Sequence, residues 1–382
     1  MRVLYRGFDG LDVSFRAQIS GHLADELEQA KEWAQKTRQD ACMTFAGMKL
    51  LIAETGARGG YSYRASTGQM GATWFFKKPN PSDPWGVRIS CGSFMLAERG
   101  LGGARADMYR TMERLGVTIQ AQAESIGRVD YAIDIFAPDF TLEPENFVMH
   151  SNATRADHFD QNEATVHGKS GRVTSVTIGK MPGRQVIVYD KRAEVIAHHK
   201  WAWFDIWNAN LSCFTLPAID FAHPDNSRVW RIELRAGKSQ LKDGWNIRTW
   251  RDLDERLGDL FHSATEAIRY AEPSSDCNRS RWPDSLLWET VRNELDEDLF
   301  EMRNFAPPDT IKRVQREAHA RLLEGQSMGL VITRAAIKGV PIESLAREAL
   351  IEGQRMANEI SKDQCRYGAK LRERADRYEI LL

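Results

Sequence analysis

Three short stretches gather the residue types that handle phosphate esters: RVDYAIDIF (128–136), RQVIVYDK (184–191) and VWRIELR (229–235). Each reads as a strand, in which residues two apart share a face. Arg128, Asp130, Ala132 and Asp134 then lie on one side of the first stretch, with Val129, Tyr131, Ile133 and Ile135 on the other. In the second, Tyr189 and Lys191 share a face with Ile187. In the third, Arg231, Glu233 and Arg235 share one, backed by Trp230, Ile232 and Leu234. Paired in one sheet, these strands would bring three carboxylates, a tyrosine and several cations together. Asp and Glu oxygens suit Mg2+ or Mn2+, and such an ion can polarise a phosphodiester while a nucleophile attacks phosphorus. A tyrosine, with an ordinary pKa near ~10, needs a metal or a cation nearby to serve as that nucleophile at neutral pH. Arg and Lys stabilise charge on the phosphoryl transition state. The competing reading is structural: an Asp–Arg pair on adjacent strands is commonly a cross-strand ion pair, and a strand tyrosine a packed aromatic.

The elements that must position these residues are legible in outline. Leu11 to Phe15 alternates as a strand, and Leu23, Leu27, Ala30 and Trp33 mark a helix over 20–38. Residues 57–102 are glycine-rich with short strand-like runs, which predicts hairpins, and 104–115 predicts a helix. An acidic loop covers 137–170, and Met181-Pro182-Gly183 separates two strands as a hairpin turn. Beyond Trp250 the pattern turns helical, over 251–270, 285–302, 308–325 and 343–377. The expected fold class is α+β: a mainly antiparallel sheet carrying the active site, covered by helices, with a helical C-terminal portion. The expected domains are an α+β domain at 1–250 and a helical region at 251–382.

In their order and spacing these motifs resemble the replication initiation factor family, the single-tyrosine initiators of rolling-circle replication and related relaxases. The resemblance rests on Arg-x-Asp-x-Ala-x-Asp (128–134), the strand Thr177-Ile178-Gly179, Val-Tyr-Asp-Lys-x-x-Glu (188–194) and Arg-x-Glu-Leu-Arg (231–235), with the glycine-rich strands before Arg128. It covers roughly 8–250; the helical C-terminal third matches no motif. It implies Tyr189 as nucleophile of strand nicking, forming a covalent phosphotyrosine intermediate. It also implies Asp130 or Asp134, with Glu233, as ligands of Mg2+ or Mn2+. Lys191 and Arg231 become candidates for contacting the scissile phosphate, Asp190 and Glu194 supporting carboxylates, and Arg128, Arg184, Arg235 and Lys238 candidate DNA contacts. Asp190 should point away from the Tyr189 face. The implied partners are single-stranded or melted origin DNA, a second copy in a homodimer, and a host helicase. The expected function is initiation of rolling-circle replication of a plasmid or phage. A conjugative relaxase shares the chemistry, a non-catalytic DNA-binding regulator would lack it, and a glycosidase with paired carboxylates would ignore nucleic acid altogether.

Two further stretches carry weaker signals. Residues 198–221 hold Trp201, Trp203, Phe204, Trp207, Phe214 and Phe221 beside His198, His199 and Lys200. They either stack unpaired bases or pack as a hydrophobic insertion on the sheet. Adjacent histidines on a strand point apart, so no histidine cluster is expected at the metal. Gly100 to Ala104 (GLGGA) lacks a P-loop lysine and reads as a turn, and 331–350 has a helix–Gly–helix look that a DNA-reading helix-turn-helix would share.

Composition bounds all of this. The 382 residues are 42% hydrophobic and 27% charged, as in ordinary globular chains. Lys and Arg number 52 against 53 Asp and Glu, a net charge of -1 that excludes a uniformly basic coat. Yet residues 165–251 hold 14 basic against 7 acidic side chains, on the segment carrying Tyr189 and Glu233, where a DNA backbone would need them. No run reaches the ~18 apolar residues of a spanning helix, so no membrane partner is expected. Five scattered cysteines form no CxxC pair, and with no apolar signal core at the N-terminus the expected location is cytoplasmic.

Overall fold

The computed structural model describes residues 1–149, 164–169, 171–223, 226–295, 299 and 308–381. In chain order the elements are β1 (Arg2–Gln18), α1 (Gly21–Thr37), β2 (Ala41–Phe45), β3 (Met48–Ile52), β4 (Tyr63–Ser66), β5 (Ala72–Phe76), β6 (Val87–Cys91), α2 (Ser93–Arg114) and β7 (Thr118–Phe136). Then come β8 (Phe147–Met149), β9 (Ala164–Lys169), β10 (Arg172–Gly179), β11 (Arg184–Asp190), α3 (Lys191–Ala197), α4 (Ala202–Cys213) and β12 (Val229–Gly237). The chain continues through α5 (Trp250–Ala267), β13 (Ile268–Tyr270), α6 (Leu286–Asn293), α7 (Pro308–Ile337), α8 (Leu345–Lys362) and α9 (Gln364–Leu381).

Eleven strands form one sheet in the order β2-β3-β4-β5-β6-β1-β7-β12-β11-β10-β9, and every named pairing in it is antiparallel. This is the expected α+β architecture, a large antiparallel sheet with a helical C-terminal region. Its spine is the long pair β1–β7, whose register breaks at Val3/Tyr5, Phe8/Gly10, Asp12/Val13 and Phe15/Ala17. Such bulges bend a strand and re-aim side chains. One sheet face is apolar. Phe8, Tyr131, Ile133, Trp230 and Leu234 pack there with Met108 and Met112 of α2 and Leu257 and Phe261 of α5 in one core. That core is continuous across residue 250, because Trp250, Leu253 and Trp288 belong to it. A capping box between Thr249 and Asp252 starts α5 at that point.

Several boundaries differ from the sequence pattern. The helix expected over 104–115 begins at Ser93 and bends at Gly100, whose φ of 66° no other residue type adopts cheaply. The GLGGA run is therefore this kink. The helix expected over 251–270 stops at Ala267, and Ile268–Tyr270 pairs with β8 instead. The helix placed at 308–325 runs to Ile337, and the one placed at 343–377 is two helices divided at Asp363. Residues 150–163 of the acidic loop and most of 296–302 lie outside the described residues.

A second, smaller cluster sits on the polar side of the sheet. There Trp203, Ile206, Trp207 and Leu211 of α4 pack on Leu4 and Tyr5 of β1 and on Phe94 of α2. The aromatic stretch is thus chiefly packing: Trp203 and Trp207 are fully buried, and Phe214 is the exposed exception.

Candidate active site

The three stretches first singled out are neighbours, in the order β7-β12-β11, and their registers align the polar faces in rows. Tyr5, Asp134, Arg231 and Tyr189 stand opposite one another in one row, Gly7, Ala132, Glu233 and Ile187 in the next, and Gly10, Asp130, Arg235 and Gln185 in a third. The alternation inferred from sequence therefore places these side chains correctly on β7 and β12, and Tyr189 on the same face.

Arg231 is the buried centre. Its Nε donates to Asp134 Oδ1 at 2.6 Å and its Nη2 to Asp134 Oδ2 at 2.7 Å, a bidentate fork. Nη1 donates to Asp9 Oδ1 at 2.5 Å, and the Trp203 ring lies 4.2 Å from the guanidinium carbon. Asp134 Oδ2 also accepts from Trp207 Nε1 at 2.8 Å. Both Asp134 oxygens are thus engaged, and Arg231 is wholly enclosed. This geometry makes Asp134 the brace of the guanidinium.

Asp130 and Glu233 differ from that pair. Arg128 Nε donates to Asp130 Oδ1 at 2.9 Å and its Nη2 is in ion-pair contact with Asp130 Oδ2, and Arg235 Nε donates to Glu233 Oε1 at 2.7 Å, while Glu233 Oε2 is buried with no hydrogen bond. Burial pushes Asp130 up to about 7, with the Glu233 charge adding to the shift. Burial and the Asp9 charge raise Glu233 as well. Asp9 goes the other way: burial opposes its ionisation, but Arg231 and Lys191 outweigh it and hold the carboxyl low. Gly10 keeps the space beside Asp130 clear, since a Cβ there would meet Asp130 Oδ2 at 2.6 Å. Two buried carboxylates, one keeping an unbonded oxygen and the other paired with the partly exposed Arg128, supply the hard oxygens that suit Mg2+ or Mn2+. Such ions take a few protein oxygens and complete their shells with water and phosphate oxygens. Among the described residues no group of three or more His, Cys, Asp and Glu side chains is arranged to hold a metal.

Tyr189 is half-buried, and among the described residues nothing hydrogen-bonds its hydroxyl. Burial raises it well above the usual tyrosine range, Glu233 and Asp9 add to the rise, and Arg231 opposes it. Lys191 corrects the strand reading. β11 ends at Asp190, whose carboxylate caps α3 by accepting from Ala193 N at 2.9 Å, and Lys191 is the first helical residue. Its Nζ nonetheless lies 5.7 Å from the centre of the Tyr189 ring and 2.8 Å from Glu194 Oε2. Burial and Arg231 lower its pKa. Asp190 faces away from Tyr189, toward Arg172 Nη2 at 2.7 Å.

No family model matches this chain, and no curated protein matches it. One solved structure, of a rolling circle replication initiator protein from Geobacillus stearothermophilus, superposes with a TM-score of 0.39 and 13% identity, covering 78% of this chain and 99% of that one.

Of the expected DNA contacts, Arg128 and Arg235 lie on the Tyr189 face, each tied to a carboxylate. Lys238 is exposed just past the end of β12. Arg184 stands opposite Ala236, on the apolar side, so it is not on the active face. Asp9 and Gly10 were not legible in the sequence, and Trp207 was legible only as an aromatic that stacks or packs, not as the partner of Asp134. The signal for Asp9 was faint: it sits between Phe8 and Gly10 at a register break, where alternation fails.

Proposed function

We propose that this protein is a metal-dependent DNA-nicking and strand-transfer enzyme of the kind that initiates rolling-circle replication, with Tyr189 as nucleophile. One observation carries the reading: an unbonded tyrosine hydroxyl shares a sheet face with two buried carboxylates, Asp130 paired with Arg128 and Glu233 keeping one oxygen without a hydrogen bond. In the reaction a bond forms from Tyr189 Oη to phosphorus, and the bond from phosphorus to the departing sugar oxygen breaks. The phenolic proton must leave, and a proton must reach the sugar oxygen.

Asp130 and Glu233 would hold Mg2+ or Mn2+, which supplies polarisation of the phosphate and a lower pKa for the attacking phenol. The chain's own residues do the rest. Arg231, fixed by Asp134 and Asp9, favours the phenolate electrostatically, and Lys191 brings a second positive charge to the Tyr189 ring. Single-stranded or melted DNA is the proposed substrate, because a sheet face admits a flexible strand to a half-buried hydroxyl. Incubation with Mn2+ and single-stranded origin-like DNA tests the proposal by formation of a denaturant-resistant protein–DNA adduct.

A further inference from the structure

The polar face does not end at Arg128. Arg128 stands opposite Asp12, Asp12 opposite Ser90 and Ser90 opposite Thr73, and the neighbouring row runs through Ser14, Arg88, Phe75 and Arg64. The helices α1 and α2 pack their Leu23, Leu27, Met108 and Met112 on the opposite, apolar face. On the polar side the Arg88 guanidinium lies 4.1 Å from the centre of the Phe75 ring and 5.2 Å from that of Tyr61. Nearby, Arg16 lies 5.0 Å from the centre of the Trp85 ring. Arg16 and Arg64 are exposed. Among the described residues none of these three arginines is paired with a carboxylate, and Arg88 Nε is buried with no hydrogen bond.

A guanidinium laid on a ring is held flat and offers its outer face to another planar group, as bases require. Charge without an acid partner is available to phosphates. We infer that this half of the sheet, centred on Arg88 and Arg16, binds the unpaired DNA strand running to or from Tyr189. The identity of the ligand as DNA rests on the proposed nicking function. Counting rows and strands from Tyr189 to Arg88 gives a diagonal on the order of 30 Å. That span is within reach of the roughly 4–16 nucleotides a single-strand-binding surface occupies.

The test is fluorescence anisotropy of the full-length protein in EDTA, with a single strand of roughly 25 nucleotides and with one too short to leave the Tyr189 site. Arg88→Gln and Arg16→Gln should each weaken long-strand binding roughly tenfold and lower the salt slope by about one. Short-strand binding should stay unchanged, and Arg88→Lys should recover part of the loss. Photocrosslinking of the long strand to the wild-type chain should label Trp85 or Tyr61, which needs no variant to fold. Unchanged long-strand affinity, crosslinks absent from 61–88, or an equal loss for duplex DNA would overturn the inference. Loss of strand binding in Arg88→Gln with no Tyr189 adduct in the wild type would uphold this surface and sink the nicking reading. An adduct with unaltered binding in Arg88→Gln would do the reverse.

Discussion

Asp130 and Asp134 lie four residues apart on one face of one strand, and their surroundings give them different work. Asp134 is saturated by Arg231 and Trp207, so Asp134→Ala strips a buried guanidinium of its partner. That should cost about 3–5 kcal/mol of stability in urea unfolding. Asp130→Asn should leave the unfolding midpoint close to wild type while weakening Mn2+ binding by roughly tenfold or more. Equal effects of the two substitutions on stability would contradict the division. The sequence could not make it, because the deciding neighbours, Trp207 and Asp9, come from α4 and β1. Acidity adds a second test at this scale. With Asp130 at about 7, its charged, metal-binding form is the minor one below that pH. Mn2+ affinity measured calorimetrically should therefore rise from pH 6 to 8 and then level off. A flat profile would show that Asp130 is not titrating at the metal.

Among the elements, β12 and β11 were legible almost to the residue, because no register break interrupts their pairing. The 17-residue β1 was not: glycines and four register breaks hide its period, so only Leu11 to Phe15 read as a strand. Those irregularities serve the site, since Asp9 reaches Arg231 from a bulge and Gly10 leaves room for Asp130. Gly10→Ala should push the Asp130 carboxylate from its place, because the new methyl would sit 2.6 Å from Oδ2. Metal-dependent cleavage should fall severalfold or more while far-UV circular dichroism is unchanged; full activity in this variant would contradict the close approach. The start of α3 at Lys191 was misread for a local reason. Asp190 can end a strand and cap a helix at once, and propensity does not choose between them.

For the whole molecule, the net charge of -1 conceals a local excess of 14 basic over 7 acidic residues in 165–251, and two half-sheets share one polar face. DNA affinity should therefore fall steeply between low and physiological salt in anisotropy titrations; a flat response would contradict a phosphate-binding face. The C-terminal helices were legible as helices but not in their packing, because helical period says nothing about which neighbour covers an apolar side chain. Leu330, Ile337, Leu350 and Leu371 remain exposed along them. The most direct measurement of the central claim is peptide mass spectrometry of the denaturant-resistant adduct formed with Mn2+ and single-stranded DNA. A nucleotide mass on the peptide containing Tyr189, absent in Tyr189→Phe, is the expected result. An adduct that persists in Tyr189→Phe, or maps to another residue, would contradict it.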